Sequence, residues 1–172
     1  MVIRLARPED VRALGEVHVR TWQAAYAGHF PQTFLDALDP CERWETWRNI
    51  LERADPGRRS TFVVEIEGEL CGFASIGPSR DDDLDDFGEL YGLYLLPDRW
   101  RLGIGRQLME VAVRQLVQFG FRQAMLWVFD KNERARQFYE AEGWLVDGTM
   151  KVDDSRGIEI PEVRYRRVLG PR

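Results

Sequence analysis

Residues 89–105, Glu-Leu-Tyr-Gly-Leu-Tyr-Leu-Leu-Pro-Asp-Arg-Trp-Arg-Leu-Gly-Ile-Gly, constrain the fold of this chain most. The apolar run at their start ends at Pro97, and proline has no N–H to give to a β-ladder, so we predict a buried strand there. From Ile104 onward, apolar residues recur at the spacing of an amphipathic helix. Free N–H groups and the positive end of the helix dipole meet at such a helix start, which makes the glycine loop a candidate anion site.

Two common nucleotide-binding loops are excluded by single residues. A dinucleotide fingerprint needs a third glycine where this chain has Leu108, and a Walker A loop needs Gly-Lys-Ser or Gly-Lys-Thr. Here Arg106 and Gln107 follow Gly105 instead. On these residues alone, an anion site and a tight turn without a ligand remain equal alternatives.

Length and composition exclude several classes of protein. The 172 residues, 44% hydrophobic and 31% charged, suit a single globular domain, which we assign to residues 1–172. The formal net charge of -5 lacks the positive excess typical of nucleic-acid-binding proteins, so we expect no nucleic-acid partner. No apolar run approaches the roughly 20 residues of a membrane span, and the first residues lack the apolar core of a signal peptide, so we expect a cytoplasmic protein. Cys41 and Cys71 show no metal-ligand spacing, and we expect no metal.

Strand and helix patterns alternate along the rest of the chain. Strands are predicted at 2–5, 61–66, 70–76, 123–129, 144–152 and 159–168. Helices are predicted after Pro8, over 31–54 with a break near Pro40, and from an N-cap at Asn132 to a left-handed Gly143. Turns are predicted at 55–57, 67–69 and 153–157. The turn at 67–69 is too short for a crossover and predicts an antiparallel hairpin, whereas the helix after Gly105 predicts a parallel βαβ pair.

Two motifs make the chain resemble the GNAT superfamily of acyl-CoA-dependent N-acetyltransferases. One is Leu93-Tyr94-Leu95-Leu96-Pro97 followed by Arg101-Leu102-Gly103-Ile104-Gly105-Arg106, which is similar to the family's central strand and pyrophosphate loop. The other comprises Asn132, Ala135, Phe138, Tyr139, Gly143 and Trp144. The resemblance covers nearly the whole chain. One position departs from it, because Trp100 stands where the family usually has Gln or Arg.

The resemblance implies an α/β fold with a central mixed, mostly antiparallel sheet. A βαβ parallel pair would be splayed at the cofactor site, and helices would cover both faces. It also implies acetyl-CoA as co-substrate. The implied cofactor-binding residues are Leu93, Tyr94, Leu95, Arg101, Leu102, Gly103, Ile104, Gly105, Arg106, Asn132, Phe138 and Tyr139.

The resemblance further implies three catalytic groups. The backbone N–H of Leu95 would stabilise the oxyanion, a contribution of typically ~3 kcal/mol, and Gly92 is compatible with a bulge in that strand. Tyr139 would protonate the departing thiolate. Glu89 would take the proton of the amine through water, unless Glu89 is structural and water or the acidic loop accepts that proton. The other family position for a base holds Trp127 here. No covalent nucleophile lies in either motif, which implies direct attack in a ternary complex.

The acceptor is left open by the sequence. The aromatic loop 26–30 and the acidic loop 81–86 are expected to border its pocket, which suits a small amine or an antibiotic. The acidic loop has two interpretations, a solvated connector or a collar that attracts a cationic substrate. Alternatives for the whole protein are acetylation of a peptide or protein N-terminus or lysine, and a non-catalytic acyl-CoA-binding sensor. The oligomeric state stays open, a homodimer included.

Overall fold

The computed structural model describes residues 1–53, 55, 57–155 and 157–170. Its strands are β1 Val2–Leu5, β2 Ser60–Ile66, β3 Glu69–Pro78, β4 Gly88–Leu95, β5 Gln123–Phe129, β6 Leu145–Asp153 and β7 Ile160–Val168. Its α-helices are α1 Val11–Ala25, α2 Gln32–Asp36, α3 Cys41–Glu52, α4 Ile104–Gln118 and α5 Glu133–Ala141. Short 3-10 turns at Pro8–Asp10 and Pro97–Arg99 precede α1 and α4.

All seven strands form one sheet in the order β1-β2-β3-β4-β5-β7-β6. Every neighbouring pair is antiparallel except β4 and β5, which run parallel because α4 carries the chain back across the sheet. The predicted hairpin is β2–β3, and the predicted βαβ unit is β4–α4–β5. The mixed, mostly antiparallel sheet is therefore confirmed.

Helices cover both faces of this sheet, as predicted. On one face the apolar stripe of α4, with Leu108 and Ala112 fully buried, packs on Ala74 and Leu126 of the strands. On the other face α1 and α3 pack on the strand residues whose side chains alternate with those facing α4. This second cluster contains Leu14 and Val17 of α1, Trp47 of α3, Val63 of β2 and Phe73 of β3.

Both ends of α5 are fixed by the residues predicted to fix them. The Asn132 side chain accepts a hydrogen bond from the Ala135 N–H at 3.2 Å, which caps the helix start. Gly143 is left-handed, with φ of 81°. The N–H groups of Gly143 and Trp144 donate back to the carbonyls of Glu140 and Tyr139, each at 3.0 Å. This paired C-terminal cap positions Tyr139 in the last turn.

Some predicted boundaries differ from the observed ones. The helical segment 31–54 is divided into α2 and α3, with Pro40 directly before α3, so the predicted break is confirmed. Its predicted last residue, Ala54, lies outside the described residues, as do Pro56 and Arg156 of the predicted turns. Within the described ranges, no helix is long and apolar enough to cross a membrane.

Candidate active site

The parallel strands β4 and β5 separate soon after they meet. They pair only at Gly88 with Ala124 and at Glu89 with Met125, whereas β4 stays paired with β3 as far as Leu95. A wedge therefore opens on the β5 side of β4. It forms part of a cleft of about 780 Å³. The predicted splay of the parallel pair is confirmed.

A β-bulge bends β4 where the cleft begins. Ser75 of β3 faces Gly92 and the next residue, Ile76, faces Leu90, so Tyr91 is the extra residue. A Cβ on Gly92 would lie 2.5 Å from the ring of Tyr94. Glycine at position 92 thus leaves room for the Tyr94 ring, and the bulge that the sequence left possible is present.

The backbone of Leu95 faces the cleft. The N–H of the next residue, Leu96, donates to the Cys71 carbonyl of β3 at 2.9 Å, and successive N–H groups of a strand point to opposite sides. The Leu95 N–H accordingly points away from β3, into the wedge. Its carbonyl accepts hydrogen bonds from Trp100 Nε1 at 2.7 Å and from Thr21 Oγ1 at 3.1 Å.

The glycine loop presents unbonded N–H groups at the start of α4. Within the described chain, Gln107 is the first residue of α4 with an N–H that donates to a backbone carbonyl, that of Gly103 at 3.3 Å. Gly103 has φ of 76°, and Arg101 also adopts a left-handed φ of 62°. A non-glycine residue in that region costs on the order of 1–3 kcal/mol, and such strain clusters at ligand sites. The loop therefore fits a phosphate-like anion.

Trp100, the residue that departs from the family pattern, also holds an arginine at the loop. The guanidinium carbon of Arg134 in α5 lies 3.3 Å from the centroid of the Trp100 ring. A cation over an aromatic face is attracted by the ring quadrupole. No sequence pattern indicates this pair, because the two residues meet only when α5 packs beside the loop.

Arg106, predicted to bind the cofactor, is paired with carboxylates. Its Nε lies 3.6 Å from Glu110 and 3.7 Å from Glu142, and its side chain is 66% exposed. Exposed pairs of this kind hold a side chain weakly. The guanidinium stays available to an anion at the loop.

Tyr139 is buried at the base of the cleft, with 7% of its surface exposed. Its ring lies 6.5 Å from that of Trp144 and 6.4 Å from that of Tyr165. Burial, with a smaller contribution from Tyr94, raises the pKa of the Tyr139 hydroxyl well above its ordinary value. The hydroxyl therefore keeps its proton at neutral pH.

Glu89 is 1% exposed and is bound on both carboxylate oxygens by Arg80. The Arg80 backbone N–H donates at 2.9 Å, Nε donates to the two oxygens at 3.1 Å, and Nη2 also donates to Oε1. Arg80 in turn lies 4.7 Å from the centroid of the Tyr91 ring. Sequence reasoning missed Arg80, whose only signal was its place directly before the acidic run.

The acidic loop is anchored by a buried arginine. Arg164 of β7, whose side chain is 3% exposed, contacts Asp81 at 2.9 Å and Asp83 at 2.8 Å. It also contacts Asp147 of β6 at 2.8 Å. The interpretation of this loop as a solvated connector is wrong for Asp81, because its carboxylate is tied to β7. Residues 81–86 are absent from the described cleft lining, so they form no collar there.

Another part of the cleft is lined by aromatic and charged side chains. Of the aromatic loop 26–30, Tyr26 belongs to the described cleft lining, and its ring centroid lies 4.5 Å from that of Trp22 and 5.5 Å from that of Phe129. The neighbouring part of the lining comes from β6 and β7. Its charged residues, which the sequence did not single out, are Lys151, Asp153 and Glu162.

Most of the predicted site residues lie together on this cleft. Those that line it are Glu89, Leu93, Tyr94, Leu95, Arg101, Gly103, Gly105, Arg106, Asn132, Phe138 and Tyr139. Two do not line it with their side chains. Leu102 is 61% exposed and Ile104 is buried in the core beneath α4, so only their backbone N–H groups are placed to face an anion.

Comparison with known proteins identifies the class that this fold and cleft define. The model of the acetyltransferase (GNAT) family matches residues 12–144. The chain belongs to this family, and it is an N-acetyltransferase of the acetyl-CoA-dependent acyltransferase class.

Individual relatives agree with that assignment. The chain is 34% identical over 142 residues to the uncharacterized N-acetyltransferase YuaI of Bacillus subtilis, covering 82% of this chain and 78% of that one. It is 29% identical to a probable N-acetyltransferase of Mycobacterium tuberculosis, covering 95% and 91% of the two chains.

Among solved structures, an N-acetyltransferase of Thermoplasma acidophilum in complex with coenzyme A has a similar fold. The TM-score is 0.80 at 23% identity, over 97% of this chain and 98% of that one. A putative acetyltransferase of Salmonella typhimurium with its cofactor acetyl-CoA gives a TM-score of 0.72 at 19% identity, over 100% and 95%.

Proposed function

We propose that this chain transfers the acetyl group of acetyl-CoA to the primary amine of a small cationic molecule, such as a polyvalent amine or an amine-bearing antibiotic. The transfer occurs by direct attack in a ternary complex. The observation that carries the proposal is the wedge between β4 and β5, into which the Leu95 N–H points, with the Tyr139 hydroxyl on the same cleft.

The cofactor is held by the glycine loop and the start of α4. Unbonded N–H groups from Leu102 to Arg106 bind its pyrophosphate, and Arg101 and Arg134 add positive charge beside them. Asn132 uses its side-chain oxygen to cap α5, which leaves its amide N–H groups for the pantetheine arm. Phe138 packs on that arm. Bound acetyl-CoA supplies an activated acetyl thioester.

Two groups of the chain lower the barrier of the reaction, one at the carbonyl oxygen and one at the departing thiolate. The Leu95 N–H donates to the oxygen that gains charge, and Trp100 and Thr21 fix the peptide that follows it. A preorganised donor of this kind is typically worth ~3 kcal/mol of barrier. Tyr139, which stays protonated in its buried place, gives its proton to the departing thiolate.

Direct attack is supported by the positions of the two thiols. Cys71 is buried in β3, where its Sγ contacts the Val64 carbonyl at 3.6 Å, and burial raises the pKa of its thiol. Cys41 is exposed on α3. Neither lines the described cleft, so neither is placed to carry the acetyl group.

A small cationic acceptor is supported by the walls of the acceptor side. The carboxylates of Glu162 and Asp153 attract an ammonium group, and the ring of Tyr26 offers a face on which its carbon chain packs. Lys151 already covers the Trp127 ring, 4.2 Å from its centroid, and its Nζ lies 3.6 Å from the Glu162 carboxylate, so part of the charge on this wall is already paired.

The test is to incubate the protein with acetyl-CoA and a matched panel of diamines, aminoglycosides and peptides, and to follow free thiol. We expect small cationic amines to release thiol well above hydrolysis. Release only with peptides would overturn the acceptor class. If acetyl-CoA binds but no amine releases thiol, the result would favour a non-catalytic acyl-CoA-binding sensor.

A further inference from the structure

Glu162 is a second carboxyl group on the acceptor side of the cleft. It lies in β7 opposite Phe129 of β5 and opposite Lys151 of β6. Residues directly opposite in antiparallel strands project from the same face of the sheet. Phe129 and Lys151 both line the cleft, and so does Glu162.

The surroundings of Glu162 favour proton uptake. Burial raises the pKa of its carboxyl, and the charge of Asp153 raises it further. Lys151, with Nζ 3.6 Å from the carboxylate, and Arg80 act in the opposite direction without cancelling the shift. These are the charged groups that face it from β6 and from the connection between β3 and β4. The side chain remains 20% exposed, so a proton that it accepts can pass to water.

Glu89 is placed less well for the same task. Both of its oxygens already accept hydrogen bonds from Arg80, and it is 1% exposed. Protonation of Glu89 would also break the contacts that hold the Arg80 side chain at the cleft.

We propose that Glu162 accepts the proton that the substrate ammonium loses, and that Glu89 is a positioning residue that acts through Arg80. This inference rests on the proposed function. An N–H bond of the ammonium breaks, its electron pair stays on nitrogen for the attack, and the proton binds a Glu162 oxygen, directly or through one water. The carboxyl then returns the proton to solvent.

The first test compares the pH profiles of kcat for the wild type, Glu162→Gln and Glu89→Gln at saturating amine. Activity requires ionised Glu162, so the wild type loses rate as the pH falls through the Glu162 pKa. We expect Glu162→Gln to lower kcat about 100-fold at neutral pH and to move the acid limb up to the pH at which the bound amine itself loses its proton. Glu89→Gln should keep the limb. Glu159→Gln is the control, because it makes the same charge change on an exposed residue just before β7 and should leave the profile unchanged.

An acid limb that stays at its wild-type pH in Glu162→Gln, or that is lost in Glu89→Gln, would overturn the assignment. So would a Glu162→Gln variant that raises KM alone, since Glu162 would then only bind the cation. An inactive wild type overturns the proposed function itself, and the proton-acceptor role with it.

A second test needs no turnover. Carboxyl 13C NMR of the free protein, with Glu162→Gln to assign the resonance, should show Glu162 titrating above an ordinary glutamate. Titration at or below that value would contradict the inference independently of any amine.

Discussion

The indole Nε1–H of Trp100 donates to the main-chain carbonyl of Leu95, with 2.7 Å between the two heavy atoms. Trp100 thereby connects the glycine loop to the strand whose N–H faces the wedge, and its ring carries Arg134 on one face. A tryptophan at this position therefore does more than replace a family side chain, because it fixes the peptide that follows the Leu95 N–H.

Replacement of Trp100 by phenylalanine removes this donor and keeps an aromatic face for Arg134. We expect a loss of about 0.5–1.5 kcal/mol in the free energy of unfolding, since Thr21 remains as the second donor to Leu95. Urea denaturation measures it. Trp44→Phe is the matched control, because Trp44 also carries an arginine on its ring but its Nε1 has no hydrogen-bond partner among the described residues. Equal losses in the two variants would contradict the role of the Trp100 hydrogen bond.

Tyr139→Phe should slow thiol release by roughly tenfold or more and leave the affinity for coenzyme A nearly unchanged. The reason is that only the buried hydroxyl is lost. Since the pKa of Tyr139 is raised, its protonated form persists as the pH rises, and the wild-type rate should show no basic limb from this group at neutral pH. Calorimetric titration with coenzyme A separates binding from rate. Tyr165→Phe serves as control, because its hydroxyl is bonded to Arg136 and Glu140. An unchanged rate in Tyr139→Phe would remove Tyr139 from the chemistry.

The two loop glycines should respond differently to alanine. Gly103 has φ of 76°, so Gly103→Ala should cost about 1 kcal/mol of stability although no atom blocks the new methyl group. Gly105 lies in the first turn of α4, where its Cβ would meet Phe138 at 3.6 Å, an ordinary contact, and alanine there should stabilise the fold by up to about 1 kcal/mol. Thermal unfolding of both variants measures the difference. A stabilised Gly103→Ala would contradict the left-handed conformation.

Arg164→Met should destabilise the protein by about 3 kcal/mol at neutral pH, because it leaves Asp81 and Asp147 beside an apolar side chain. Arg114→Met, on the exposed side of α4, is the control and should cost far less. Urea denaturation compares the two. A loss no larger than that of the control would show that the buried network contributes nothing to stability.

The stability that the contacts of Arg164 contribute should depend on pH in the acid range. The bonds from Arg164 hold the pKa of Asp83 below its ordinary value. Burial raises the pKa of Asp147, but its bonds with Thr149 and Arg164 outweigh this and the net shift is downward. A lowered folded-state pKa contributes stability above the unfolded pKa, and this is lost as the pH falls through the folded one. The difference between the wild type and Arg164→Met should therefore shrink below about pH 4. A difference that is constant with pH would contradict this assignment.

Local features of the site were predictable from the sequence because they depend on residues only a few positions apart. The Asn132 cap bonds to Ala135, and the left-handed Gly143 closes bonds to the last turn of α5. The glycine pair likewise marks the start of α4, which Gly103 directly precedes. The tight hairpin and the helix-linked parallel pair followed from the lengths of the connections.

The contacts that the sequence did not predict join distant parts of the chain. Arg164 and Asp81 are 83 positions apart and meet only because β7 inserts between β5 and β6. The alternation of Glu162, Arg164 and Arg166 with Val163 and Tyr165 was a visible signal of one polar face. The pattern does not predict that Glu162 on this face borders the cleft, because that depends on strand order.

Direct acetyl transfer to a small amine is tested with acetyl-CoA that carries deuterium on its acetyl group. The protein is mixed with this acetyl-CoA and the amine that releases most thiol, and the masses of the amine and the protein are measured by mass spectrometry during one turnover. We predict that the labelled acetyl group appears on the amine in step with thiol release, with no labelled protein at any time. Thiol release without labelled amine, or label found first on the protein, would rule out direct transfer.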